Sequence, residues 1–221
     1  TSFEDQPPVL YLPALERSEN LVAGATSRQP AATRALEIFE AALAGREAQD
    51  GHGSMASPAL SFVDALQACC AAGVRGLVML VEEPELYLGP QAQRYLYRLL
   101  RRFAAGGNQV IYSTHSPAFL NVARLDELVF VERRAEGGTH ALRPAPMSPD
   151  EDFRVLSEFD AERAELFLAR AAVLVEGQTE KLALPFVFEA LGRDADLAGI
   201  SIVECGGKSN IALFARVCRA A

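Results

Sequence analysis

Two short apolar runs, each closed by glutamate, restrict the folds open to this chain. They are Val78-Met79-Leu80-Val81 before Glu82-Glu83-Pro84-Glu85, and Ala172-Val173-Leu174-Val175 before Glu176-Gly177-Gln178-Thr179-Glu180. Runs of this length, rich in Val and Leu, read as buried strands of a parallel sheet. Open α/β sheets bind ligands just beyond the carboxyl ends of such strands. Carboxylates at that edge suit Mg²⁺, which takes one or two of them together with phosphate oxygens. Two such edges predict two metal-dependent phosphate chemistries in one chain.

The 221 residues allow one large domain or two small ones, and the 50% apolar content permits a sizeable core. A net charge of −8 argues against a polybasic binder. It is compatible with a DNA enzyme that carries a local basic groove. Arg94 to Arg102 is a candidate patch, read first as a solvated helix face. Cys69, Cys70, Cys205 and Cys218 lack zinc spacing and are too few for a disulfide framework. They predict a reducing, cytoplasmic setting. No apolar run approaches about 18 residues, so no membrane span is expected. Thr1 to Asp5 has no signal-peptide character, and a fragment at both ends is expected.

Along the chain, Val9 to Leu12 is a short apolar run closed by Pro13, and Ser18 to Ala31 reads as loop. Leu36, Phe39 and Leu43 give Ala32 to Ala44 a helical spacing. Gln49 to Ser54 reads as a loop, followed by a helix with Ser57 as N-cap and Pro58 at its first position, running to Ala72. Strand Leu77 to Val81, helix Pro90 to Ala105 and strand Gln109 to Ser113 come next. Strand Glu127 to Glu132 pairs with Thr139 to Arg143 across Gly137-Gly138. Pro144 to Pro149 reads as linker and Asp160 to Ala169 as helix. A second α/β unit follows: strand Ala172 to Val175, helix Glu180 to Leu191, strand Ile200 to Glu204, and a last helix with Ser209 as N-cap. A domain boundary is expected near residue 168.

Glu82 and Glu83 have Walker B character: the first acid of such a pair holds Mg²⁺ and the second polarises the water that attacks a γ-phosphate. His115, at the end of the next strand, can reach the same phosphate. The acids equally suit a helix N-terminus, and a strand-end His is often structural. Their matching positions on successive strands favour the functional reading. Leu80 to Leu88 resembles the Walker B and D-loop region of ABC-type ATPases of the SMC-like group, and Ser113-Thr114-His115-Ser116-Pro117 resembles their H-loop. Gly51-His52-Gly53-Ser54 sits where that group carries its signature loop. Gly89 and Met55-Ala56-Ser57-Pro58 depart from the group's pattern. No Walker A is present. Gly207-Lys208-Ser209 would need its first glycine at Ile202. The resemblance places the Walker A before Thr1, so the chain alone is expected to bind ATP poorly or not at all.

Val173 to Lys181 resembles the opening of a Toprim domain. Glu176 can bind metal or act as acid/base on a phosphodiester, with Gly177 permitting a tight turn. Glu180, in the first helical turn, can converge on the same cation. Its plain alternative is a first-turn helix acid. Glu204-Cys205-Gly206-Gly207-Lys208-Ser209-Asn210 resembles the next Toprim element, a glycine loop that can hold phosphate. Lys208 then neutralises a phosphate, or is a solvated loop cation. Asp194 and Asp196 read as loop residues rather than the family's metal pair.

An ABC-type ATPase tail joined to a Toprim start resembles the OLD (overcoming lysogenization defect) nucleases. The expected fold is α/β: the C-terminal half of an ATPase sheet over 1–147, a linker and helix over 148–168, and a partial Rossmann-like Toprim sheet over 169–221. The resemblance implies an ATP-hydrolysing DNA endonuclease using Mg²⁺ or Mn²⁺. It implies a homodimer, a helicase-like or defence-system partner, and a role in phage defence or DNA repair. It implies Glu83, His115, Glu176 and Lys208 as catalytic residues, Glu82, Glu83 and His115 at the nucleotide, and Glu82, Glu176 and Glu180 at metal. The alternatives are an SMC-like repair ATPase with a degenerate Toprim domain, and a non-catalytic binding fragment.

Overall fold

The computed structural model describes residues 7–14, 24–25, 30–50, 57–120, 125–133, 137–144, 148, 158, 160 and 162–220. These form a mixed α/β structure with parallel sheets and flanking helices, and by contacts they fall into two compact units, Thr1–Ser116 and Pro117–Ala221.

The first unit is built on β1 (Val9–Leu12), β2 (Gly24–Ala25), β3 (Val78–Glu82) and β4 (Gln109–Ser113), in the order β2-β1-β3-β4. β1, β3 and β4 run parallel, and β2 is antiparallel to β1. The parallel register pairs Leu12 with Val81, Val81 with Tyr112 and Glu82 with Ser113, so β3 and β4 finish level and β1 stops one residue earlier. Against the sheet lie α1 (Pro30–Asp50), α2 (Ser57–Ala71) and α3 (Pro90–Ala105). Helix α1 begins two residues before the expected start and runs through Gln49 and Asp50, which had read as loop. Phe39 of α1 meets Phe62 of α2 at 5.8 Å between ring centroids.

Pro90 at N1 starts α3 and Gly106 ends it, as the sequence predicts. Its buried stripe is Leu96, Tyr97, Leu99, Leu100 and Phe103. The opposite side carries Arg98 and Arg101, whose guanidinium groups lie about 6 Å from the rings of Tyr95 and Tyr97 (6.0 and 5.9 Å). Asn108 joins the end of α3 to the start of β3. Its Nδ2 donates to the carbonyls of Val74 (2.9 Å) and Phe103 (3.0 Å), and its Oδ1 accepts from the Leu77 N–H (3.1 Å). The sheet is not covered evenly: Met79 and Val81 are buried, whereas Ile111 is 62% exposed. Within β3 itself the residues alternating with Met79 and Val81 are half-buried among the described residues. Beside this core, burial pushes the Cys69 thiol up to about 12, which keeps it neutral.

The second unit holds the antiparallel hairpin β5 (Phe130–Arg133) and β6 (Thr139–Leu142), and the parallel pair β7 (Ala171–Val175) and β8 (Ile200–Glu204). Its helices are α4 (Pro117–Leu120), α5 (Gln178–Ala190) and α6 (Lys208–Ala220). Its core gathers Leu125, Leu166, Val203, Cys205, Leu213, Phe214 and Val217, with Leu128 and Phe167 packed on it. Phe130 also stacks on Phe167, with centroids 5.9 Å apart. This shared core puts Leu125, Leu128 and Phe130 in one compact unit with β7 and β8. Leu125 to Phe130 pack with the β7–β8 unit, across the Pro-rich stretch that had read as linker.

Four further expectations shift. Leu125–Glu127 is a 3₁₀ turn, so β5 begins at Phe130 rather than at Glu127. Arg163–Phe167 is 3₁₀ rather than part of an α-helix. α5 starts two residues early, at Gln178, and α6 starts at Lys208, which puts Ser209 inside the helix instead of at its cap. Among the described residues no helix is long and apolar enough to cross a membrane.

Candidate functional site

The carboxyl tips of β3 and β4 carry the first group of residues. Glu82 is the last residue of β3. Its Oε1 accepts the Tyr11 hydroxyl hydrogen, and its Oε2 accepts the Ala14 N–H at 3.2 Å. The sequence assigned Glu82 to metal; the structure also makes it the residue that anchors the end of β1.

Glu83 follows in the left-handed region, at φ 43. A non-glycine residue held there stores strain, and such strain gathers at functional sites. The Glu83 N–H is held by the Ser113 carbonyl (3.1 Å) and by Ser113 Oγ (3.3 Å). Its Oε1 stands 3.6 Å from Nε2 of His115, whose side chain is 85% exposed. That separation is looser than a hydrogen bond, as is common at sites before substrate arrives. The structure therefore brings together the acid and the histidine singled out from separate strands.

Glu85 is the residue the sequence reading passed over. It is only 6% exposed. Its Oε1 accepts the Thr114 hydroxyl hydrogen and the His115 N–H (3.0 Å). Its Oε2 is buried with no hydrogen-bond partner among the described residues. Gly51-His52-Gly53-Ser54 lies outside the described residues.

The second group sits at the tips of β7 and β8. Glu176 is exposed just beyond β7, and its carbonyl accepts the Gly207 N–H at 2.9 Å. This bond ties the glycine loop to the Glu176 turn. Gly206 (φ 69) and Gly207 (φ 131) adopt backbone conformations that favour glycine. Gly177, in contrast, is extended at φ −149, so the tight turn expected of it is not made there. Glu180 uses Oε2 to accept the Gly177 N–H at 3.2 Å, half of a capping box at the start of α5. Its first-turn role is thus realised, with its remaining lone pairs open to a cation. Lys208 is exposed at the first position of α6.

Arg163 is a second residue that sequence reasoning missed. Its Nε donates to the Glu204 carbonyl (2.9 Å) and its Nη1 to the Glu158 carbonyl (2.6 Å), while its guanidinium lies 6.0 Å from the Phe214 ring centroid. A Cβ on Gly206 would sit 3.3 Å from Arg163 Nη2, so Arg163 packs beneath the glycine loop. Nothing in the local sequence marks it, because its partner Glu204 is 41 residues away.

A family model described as the TOPRIM domain of overcoming-lysogenization-defect-like proteins matches residues 167–221. Another, described as an AAA domain (putative AbiEii toxin, type IV toxin–antitoxin system), matches 59–121. The chain is 40% identical over 149 residues to the OLD nuclease of Thermus scotoductus, covering 64% of this chain and 28% of that protein. It is 27% identical over 150 residues to the Old nuclease of Escherichia phage P2, covering 65% and 25%. These matches support an OLD-family protein that joins an ATPase domain to a Toprim domain. The chain spans about a quarter of the length of the curated relatives it matches, 28% and 25%. The AAA match contains Glu82, Glu83, Glu85 and His115, and the Toprim match contains Glu176, Glu180 and Lys208. Among the described residues no three His, Cys, Asp or Glu side chains form a metal cluster. The donors present are carboxylate oxygens, which fit Mg²⁺ or Mn²⁺ in the pattern of few carboxylates plus substrate oxygens.

Proposed function

We propose that this chain is part of an ATP-hydrolysing, metal-dependent DNA endonuclease. On this reading the tips of β3 and β4 serve the nucleotide γ-phosphate and the tips of β7 and β8 serve the phosphodiester. The observation that carries the first half is the approach of His115 Nε2 to Glu83 Oε1, 3.6 Å apart on paired parallel strands. Glu83 orients and polarises the attacking water, and His115 donates toward the charge that builds on the γ-phosphate oxygens. Glu82 holds the cation through water while anchoring β1.

At the second edge Glu176 and Glu180 hold Mg²⁺ or Mn²⁺, and the Gly206-Gly207 loop with Lys208 receives phosphate. A bound divalent ion there supplies charge stabilisation for in-line displacement at phosphorus. Glu176 catches or releases a proton at the reacting oxygens, and the Gly207 bond to the Glu176 carbonyl fixes the two groups to one another. The parent protein acts as a homodimer in the cytoplasm, in phage defence or DNA repair, alongside a helicase-like or defence-system partner.

The test is plasmid cleavage by the full-length protein in Mg²⁺ or Mn²⁺. The wild type nicks or linearises the plasmid, and Glu176→Ala abolishes cleavage. Cleavage by Glu176→Ala at the wild-type rate would remove the nuclease assignment. A second reading, an SMC-like repair ATPase with a degenerate Toprim domain, is favoured by one feature, the use of Glu180 as a helix cap. It predicts no cleavage by the wild type under any divalent ion.

A further inference from the structure

We propose that Glu85 is the positioning residue that sets His115 against Glu83. The inference rests on the ATPase reading above and deepens it. Four consecutive residues from the end of β4, 113–116, are bonded to the segment 83–93 through three partners, Glu83, Glu85 and Gln93. Ser113 receives the Glu83 N–H. Thr114 and His115 both donate to Glu85 Oε1. Ser116 donates its hydroxyl hydrogen to Gln93 Oε1 (2.5 Å), and Gln93 in turn donates to the Leu88 carbonyl (2.7 Å). Thr114 Oγ1 also accepts the Ser116 N–H at 3.0 Å, so the Glu85 contact reaches both ends of the 114–116 loop.

Two physical arguments single out Glu85 within this set. First, the imidazole of His115 is 85% exposed, so packing does not fix where it stands. The backbone of 114–115 does, and Glu85 accepts the His115 N–H and the neighbouring Thr114 hydroxyl hydrogen. Second, Glu85 is an expensive way to fill that space. A buried carboxylate that satisfies one oxygen and leaves the other unpaired costs stability, and an apolar residue of similar size would not. The position gains nothing from Glu85 as packing; what it gains is an acceptor for two donors of the loop that carries His115.

The test uses the full-length protein with Glu85→Gln, Glu85→Leu and Thr114→Val, read by amide hydrogen exchange at 113–116 and by steady-state ATP turnover. Glu85→Leu is expected to speed exchange of the His115 amide and lower kcat by about tenfold to a hundredfold, with KM for ATP little changed. Glu85→Gln keeps a carbonyl acceptor, so it recovers protection and most of kcat. Thr114→Val loses one donor and falls between them; it carries the test if Glu85→Leu does not fold. Wild-type exchange and kcat in Glu85→Leu, or in Thr114→Val where it stands in, overturn the proposal. So does a loss in Glu85→Gln equal to that in Glu85→Leu, which would make charge, not acceptor geometry, the requirement. A wild type that does not turn over ATP defeats the ATPase reading alone. The exchange arm then still decides on Glu85: faster His115 exchange in Glu85→Leu sustains the positioning role, and unchanged exchange removes it.

Discussion

Glu83 combines two properties that pull against each other. It supplies the carboxylate that stands 3.6 Å from the His115 imidazole Nε2, and it does so from a left-handed backbone that costs about 1–3 kcal/mol for a side-chain-bearing residue. Glycine is at ease there. Glu83→Gly is therefore expected to leave stability unchanged or raise it by about 1 kcal/mol, offset in part by glycine's greater freedom when unfolded. ATP turnover should be lost in the same variant. Urea unfolding together with an ATPase assay checks both, and a clear loss of stability would mean the backbone is unstrained. The Glu83 and His115 pairing was legible because each follows an apolar run at a strand end. Glu85 was not: it lies 29 and 30 residues from the groups it binds, and a third acid after Pro84 looks like helix-start chemistry until the loop opposite is known.

At the level of elements, the most concentrated joint in the first unit is Asn108. It meets the α3 end, the segment before β3 and the start of β3 with three hydrogen bonds from one buried side chain. Asn108→Ala strands the Leu77 N–H and takes a donor from the Val74 and Phe103 carbonyls, the latter keeping its bond from the Gly106 N–H. The expected loss is about 2–4 kcal/mol, seen as a lower urea midpoint at unchanged m-value. A loss below about 0.5 kcal/mol, the range of ordinary surface changes, would show that water replaces the side chain. Elements with clean punctuation were readable in advance: α3 between Pro90 and Gly106, and the Val- and Leu-rich β3 and β7. Others were not. The stretch around Arg163–Phe167 has helix-forming Ala, Glu and Leu, yet it winds as 3₁₀, because Arg163 is held by Glu204 and Glu158 and Leu166 is drawn into the β8–α6 core. Tertiary contacts of this range leave no trace in local spacing.

For the molecule as a whole, the α/β class was legible from two acid-tipped strands, but the place of residues 125–130 in the second core was not. Proline content suggested a seam near 144–149, whereas Leu125, Leu128 and Phe130 had already joined the second core. Two edges in two separately packed units predict separable chemistry. Glu83→Gln should stop ATP turnover and leave the divalent-ion nuclease centre intact, and Glu176→Ala should do the reverse. Assaying both variants for phosphate release and for plasmid cleavage decides it. Loss of both activities in either variant would mean that one centre depends on the other.

The level finish of β3 and β4 also says where this architecture can change length. Val81 is paired with Tyr112 and Glu82 with Ser113, so the sheet works as a ruler read from one end. A residue gained or lost inside either strand moves its tip by about 3.3 Å and turns it to the opposite face, which parts the acid from the histidine. A residue added at Gly106-Gly107, before β4 begins, leaves both tips in place. Insertions in descendants of this chain should accumulate at the amino ends of the strands and be purged from their interiors.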